Sequence, residues 1–153
     1  MANLFNDDFI DFLRAFNTQK VEHLLVGGYA VILHGYTRST ADMDVWVKRT
    51  SENYHRIKKA FMEFGAPVFS ENDFLSDSKD VWALGREPSK IEIMSQVKGL
   101  DFNESLALCN KVKLENFEVP YIHLNHLIKA KQAAGRFKDL ADIEQLMKKN
   151  KKQ

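Results

Sequence analysis

A chain of 153 residues, 44% of them hydrophobic, is the size of one ordinary domain and can bury about 70% of the surface its unfolded form exposes. Its formal net charge of +1 excludes the global positive field of many nonspecific nucleic-acid binders, and its single cysteine, Cys109, excludes an internal disulfide or a cysteine-based zinc cluster. Acids stand near the N-terminus where a signal peptide would carry bases, and no apolar run reaches membrane-spanning length, so the expectation is one soluble, cytoplasmic domain over residues 1–153.

Phe9, Phe12, Leu13 and Phe16 recur at helical spacing and predict an amphipathic helix over residues 7–17, its aromatic stripe facing a core. A strand follows over residues 23–26. Gly27-Gly28 breaks it, and Tyr29 to His34 reads as a helix ending near Gly35. Met43 to Lys48 is the second strand. Ser51 is the expected N-cap of a helix that turns Ile57, Ala60, Phe61 and Phe64 inward and closes at Gly65 and Pro67. The polar run over residues 70–80 reads as a surface loop. Val81 to Leu84 and Ile91 to Met94 predict two strands joined by a Gly85 to Ser89 turn, and Asn103 to Asn110 a short helix. Short extended pieces around Pro120 lead to a helix from Leu124 that Gly135 ends, and Leu140, Ile143, Leu146 and Met147 define a last helix. No repeat, linker or heptad array interrupts this order. From Lys129 to Gln153 there are eight Lys or Arg against three acids. The terminal Lys148-Lys149-Asn150-Lys151-Lys152 is most simply a solvated helix end favoured by the helix dipole, the other reading being contact with an acidic or nucleic-acid partner.

The chemistry concentrates in Gly27-Gly28-Tyr29-Ala30 and in Arg38-Ser39-Thr40-Ala41-Asp42-Met43-Asp44-Val45. Alternate side chains of a strand share a face, which puts Asp42 and Asp44 together, roughly 6 to 7 Å apart, and Met43 and Val45 on the other side. Such a pair can hold divalent cations, as two-metal phosphoryl-transfer sites require. A glycine turn between strand and helix lets backbone amides approach a phosphate, although a glycine pair is more often only a tight turn. Glu92, between Ile91 and Ile93, either faces water or, if its strand lies beside the acids, completes the metal shell or takes a proton from an attacking hydroxyl. Arg38 and Thr40 follow the same alternation as the acids. Arg38 could bind phosphate or neutralise the acid pair. His34 reads as a satisfied histidine, His123 and His126 lack a third ligand in view, and Trp46 and Trp82 read as packing. Tyr29 is the better stacking candidate, with core packing as its default.

In order and spacing, the string from Gly27 to Asp44, then Ile91-Glu92-Ile93, then Lys131 to Asp142, resembles the DNA polymerase beta-like nucleotidyltransferase superfamily in its minimal prokaryotic form. It is similar to small members related to AbiEii-type toxins. The resemblance implies an α/β (α+β) fold, a mixed sheet flanked by helices with further helices at the C-terminal end. It implies Mg²⁺ (or Mn²⁺) held by Asp42, Asp44 and Glu92, and transfer of a nucleotidyl group from an NTP such as ATP to a hydroxyl. Gly27, Gly28, Arg38, Thr40, Lys131, Arg136 and Lys138 would contact the nucleotide or its phosphates, while Lys138 and Asp142, four apart on a helix, could instead pair. The acceptor would be RNA, a protein side chain or a small molecule, a protein partner is possible, and a toxin-antitoxin or defence role is implied. Three positions depart from the family pattern: Gly28 for serine, Glu92 for aspartate and Phe137 for proline. Phe137 affects only the turn, while Gly28 and Glu92 leave open an alternative, a catalytically weak or inactive member of the fold kept for binding or regulation.

Overall fold

The computed structural model describes residues 4–151. Met1 to Asn3, Lys152 at the end of the basic tail and Gln153 lie outside them. The elements in chain order are α1 (Asp7–Thr18), β1 (His23–Val26), α2 (Gly27–Leu33), β2 (Asp42–Val47), α3 (Ser51–Phe64), α4 (Glu71–Leu75), β3 (Val81–Leu84), β4 (Lys90–Met94), α5 (Phe102–Ala107), β5 (Asn110–Leu114), β6 (Phe117–Tyr121), α6 (Leu124–Ala134) and α7 (Phe137–Lys149). No helix is long and apolar enough to cross a membrane.

Local chemistry sets most of the boundaries. Asn6 starts α1 by accepting from the Phe9 amide at 2.8 Å, a cap worth about 1 kcal/mol. Thr50, not Ser51, caps α3: its hydroxyl accepts from the Asn53 amide at 3.1 Å, while the Ser51 hydroxyl, already inside the helix, bonds Glu71. Gly65 and Gly135 end α3 and α6 in the left-handed conformation, φ +92° and +66°, where a Cβ would be strained. Two further expectations change. The glycine pair does not precede α2 but forms its first turn. Residues 70–80 are not all loop, because Ser70 caps the short helix α4 and buries Phe74 completely. Phe74 packs against Tyr54, Phe69 and Trp82, and a single aromatic in a polar run carries no periodicity from which to infer a helix.

The six strands form one mixed sheet in the order β3-β4-β2-β1-β6-β5. β1 runs antiparallel to β2 and parallel to β6, and β2 runs parallel to β4. One face carries Leu25, Met43, Val45, Val47, Ile91 and Ile93 against the aromatic stripe of α1 and the inward face of α3. Phe12 and Phe16 both meet Phe61 there. Leu24, Val26, Trp46 and Ile122 pack with Ala30 and Val31 of α2, Leu127 of α6 and Leu146 of α7 in a second core on the opposite face. The last helix is less apolar inside than its spacing suggests: Leu140 and Met147 are exposed, and Asp139 and Asp142 are buried beside Ile143 and Leu146.

Candidate active site

Parity along β2 sends Met43 and Val45 into the first core and leaves Asp42 and Asp44 on the face shared with α6 and α7. The parallel register with β4 then sets Lys90 opposite Asp42 and Glu92 opposite Asp44, with Ile91 and Ile93 turned to the other face. Glu92 therefore joins the acids rather than facing water from an isolated strand. The three carboxylates line a cleft of about 460 Å³ together with Gly27, Gln96, Lys98, Lys131, Arg136 and Lys138 and the apolar Val26, Met94, Val97, Ile122 and Leu127. A hollow of about 250 Å³ adjoins it, bounded by Gly27, Gly28, Arg38, Thr40, Lys138 and the same aspartates.

The glycines are required by close approach. A Cβ on Gly27, whose φ is +67°, would fall 2.1 Å from Asp44 Oδ2, and one on Gly28 would fall 2.4 Å from Thr40 Oγ1. Thr40 thus puts its hydroxyl into the space a side chain at position 28 would need, and donates it to the Asp42 carbonyl at 3.3 Å. Asp42 Oδ1 and Asp44 Oδ1 are buried with no hydrogen-bond partner among the described residues. Burial, then the neighbouring Glu92 and Asp42, push the Asp44 carboxyl up to about 7. Two half-buried carboxylates, each with one buried and unsatisfied oxygen, suit a hard divalent cation, which takes oxygen ligands and offsets the charge that burial penalises.

Glu92 is engaged differently. Lys90 Nζ stands 3.2 Å from Glu92 Oε1 and 4.0 Å from Asp42 Oδ2. Glu92 and then Asp42 hold the Lys90 ammonium above its ordinary range. Among the described residues, no three His, Cys, Asp or Glu side chains stand as a ready metal-binding group. Lys90 escaped the sequence reading. Its parity with Glu92 was visible, but its place beside Asp42 depends on the register between strands distant in sequence.

The basic residues divide into two sets. Arg38 grips Asp142 with Nε at 2.9 Å and Nη2 at 3.0 Å. Lys131, itself buried, forms an ion pair with the same carboxylate at 2.9 Å and donates to Asp139 at 3.5 Å. Arg136 donates to Asp139 from its amide at 3.2 Å, from Nε at 2.6 Å and from Nη2 at 3.2 Å. Burial raises the Asp139 carboxyl, but the Arg136 hydrogen bonds and Lys131 outweigh it and hold the group below the usual carboxylate range. Lys138 does not pair with Asp142. It makes no ion pair among the described residues and lines both the cleft and the adjoining hollow. Arg38 accordingly neutralises Asp142, an acid on α7, rather than the Asp42–Asp44 pair.

The other candidates are accounted for by packing. Tyr29 is buried, stacked on Phe5 at 5.0 Å and edge-on to Phe9. Trp46 meets Phe102, and Trp82 meets Phe69 and Phe74. His34 Nε2 lies 2.7 Å from the Ile122 carbonyl, and His123 Nδ1 caps α6 by accepting from the Asn125 amide at 3.0 Å.

No family model and no curated protein matches the sequence. Solved structures do match in fold. The lincosamide antibiotic adenylyltransferase LnuA, solved with lincomycin bound, aligns over 94% of this chain and 97% of its own at a TM-score of 0.62 and 17% identity. TM1012 of Thermotoga maritima, a candidate nucleotidyltransferase, aligns over 92% and 91% at 0.59 and 17%. An antigenic nucleotidyltransferase-like protein from Paracoccidioides brasiliensis aligns over 92% of this chain and 75% of its own, at 0.59 and 12%. The chain is thus a small protein of the nucleotidyltransferase fold.

Proposed function

We propose that this protein is a divalent-metal-dependent nucleotidyltransferase that moves an NMP group from an NTP to a hydroxyl acceptor. The observation that carries this reading is the pair Asp42 and Asp44, each with an unsatisfied buried oxygen, lining one cleft beside the Gly27-Gly28 turn. These two carboxylates are the ligands for Mg²⁺ or Mn²⁺. When bound, the ion polarises the α-phosphate and lowers the pKa of the attacking hydroxyl. Gly27 and Gly28 present the bare start of α2, Thr40 offers its hydroxyl and unpaired Lys138 neutralises triphosphate charge. The acceptor oxygen bonds the α-phosphorus, the bond to the β-phosphate oxygen breaks, and pyrophosphate departs. Glu92 takes the acceptor's proton or completes the ligand set, and in either role it must part from Lys90. Lys131 ties α6 to α7 through Asp139 and Asp142, Arg38 ties the segment before β2 to α7 through Asp142, and Arg136 braces the start of α7 on Asp139.

Val26, Met94, Val97, Ile122 and Leu127 give the cleft an apolar lining beside its charged groups, which suits a small hydroxylated acceptor. LnuA is named as an adenylyltransferase of lincosamide antibiotics, and its solved structure holds lincomycin. A second reading, a binding or regulatory protein of the same fold, draws on the Lys90–Glu92 ion pair, which engages one of the three acids. Labelled NTPs with Mg²⁺ or Mn²⁺ and a cell extract separate the two. Label transfer by the wild type and none by Asp42→Ala, Asp44→Ala supports the enzyme, and failure of the wild type to bind any NTP with metal sinks it.

A further inference from the structure

Lys90 and Glu92 lie on the same face of β4, and the parallel register places this lysine directly beside Asp42. Its ammonium stands between two carboxylates, 3.2 Å from Glu92 Oε1 and 4.0 Å from Asp42 Oδ2. Asp42 and Asp44 each keep an oxygen with no partner, while Glu92 has an ion-pair partner. Asp42 shares the ammonium at the longer distance, so the third acid is the one it neutralises most closely.

We propose that Lys90 is a built-in counter-cation that holds the position between Asp42 and Glu92, so that a divalent ion binds through Asp42 and Asp44 and gains Glu92 only when the ammonium withdraws. The physical reason is competition for the same oxygens. A lysine ammonium is a compact point charge with three donors, able to serve two carboxylates at once as a small cation would. In a cleft that carries three acids, it relieves repulsion that would otherwise separate β2 and β4 at this point. The side chain is one-third exposed, at 33%, on a flexible stem, so it can swing to solvent without unpacking either core. Lys90 is thus a positioning residue that sets when Glu92 becomes available, to a metal or to the acceptor's proton.

This inference rests on the metal-site reading of Asp42 and Asp44, and the experiment distinguishes failure of one from failure of the other. Mn²⁺ alone, without nucleotide, is titrated into the full chain, free ion being followed by electron paramagnetic resonance and heat by calorimetry. Lys90→Met is expected to tighten Mn²⁺ about tenfold. Glu92→Gln is expected to leave the affinity of the Lys90 protein within about twofold, yet to weaken that of the Lys90→Met protein about tenfold. Lys90→Arg keeps the charge and should behave as wild type. Lys90→Gln repeats the test should Lys90→Met fail to fold, each variant being melted in parallel. The proposal is overturned if Glu92→Gln weakens Mn²⁺ tenfold with Lys90 in place, which makes Glu92 a ligand already, or if neither neutral variant tightens binding. Absence of Mn²⁺ binding that depends on Asp42 and Asp44 in every variant overturns the metal site and this inference together.

Discussion

Asp44 is the residue whose ionisation is most costly in the metal-free protein. Its folded pKa, about 7, lies above the ordinary 3.8, so the native state binds the extra proton and stability falls as pH rises through that window. His23 works in the opposite sense: burial lowers it to about 4 from 6.5, so stability is lost as pH falls between those values. The two slopes offset each other in the wild type. Asp44→Asn removes the first, and by linkage it should stabilise the metal-free protein at pH 8 by on the order of 2–4 kcal/mol. Thermal melts in chelator should then show a gain of several degrees at pH 8 that shrinks steadily toward pH 4, and a profile that rises with pH below 6.5. A variant profile parallel to the wild type would defeat this account. Gly27→Ala combines a left-handed backbone, costing about 1–2 kcal/mol, with a Cβ at 2.1 Å from Asp44 Oδ2. It should lower the melting temperature and weaken Mn²⁺ together, which melts and Mn²⁺ titration check. The ion pairs sort the cations in the same way. Lys138→Ala should leave stability within about 0.5 kcal/mol while weakening a nonhydrolysable NTP with Mn²⁺. Asp142→Ala leaves half-buried Arg38 without its carboxylate and buried Lys131 with Asp139 alone, and should cost about 3–5 kcal/mol in urea unfolding.

Among the elements, α4 shows best how a short helix escapes a sequence reading. Its five residues are mostly polar, and what fixes it is the Ser70 cap and one fully buried aromatic. Phe74→Ala should cost about 3–5 kcal/mol, measured by urea unfolding, with Mn²⁺ affinity unchanged because Phe74 packs on the sheet face opposite the acids. α1, β1, β3 and α6 were legible from periodicity, caps and terminal glycines, since those signals lie within a few residues. α7 was legible as a helix but not in what it buries. Leu140 and Met147 stay exposed while Asp139 and Asp142 go inside, because Lys131 and Arg136 meet Asp139, and Lys131 and Arg38 meet Asp142. An inward aspartate is affordable only with such partners, and Arg38 and Lys131 come from other elements.

For the whole molecule, the sheet separates two cores, one holding Trp82 and the other Trp46. We expect them to melt as a single domain: Trp46→Phe and Trp82→Phe, each leaving one reporter, should show the same urea midpoint by fluorescence relative to circular dichroism. Separate midpoints would show that the faces unfold independently. The sequence by itself determined the order of most elements and the common face of Asp42 and Asp44, because capping, turn chemistry and strand alternation act over a few residues. Only the tertiary structure decided that Glu92 lies opposite Asp44, that Lys90 neutralises it, and that Arg38, Lys131 and Arg136 are tied to Asp139 and Asp142. Those facts depend on register and on contacts across as many as 104 positions in sequence, where electrostatic pairing follows proximity in space and no local pattern encodes the partner.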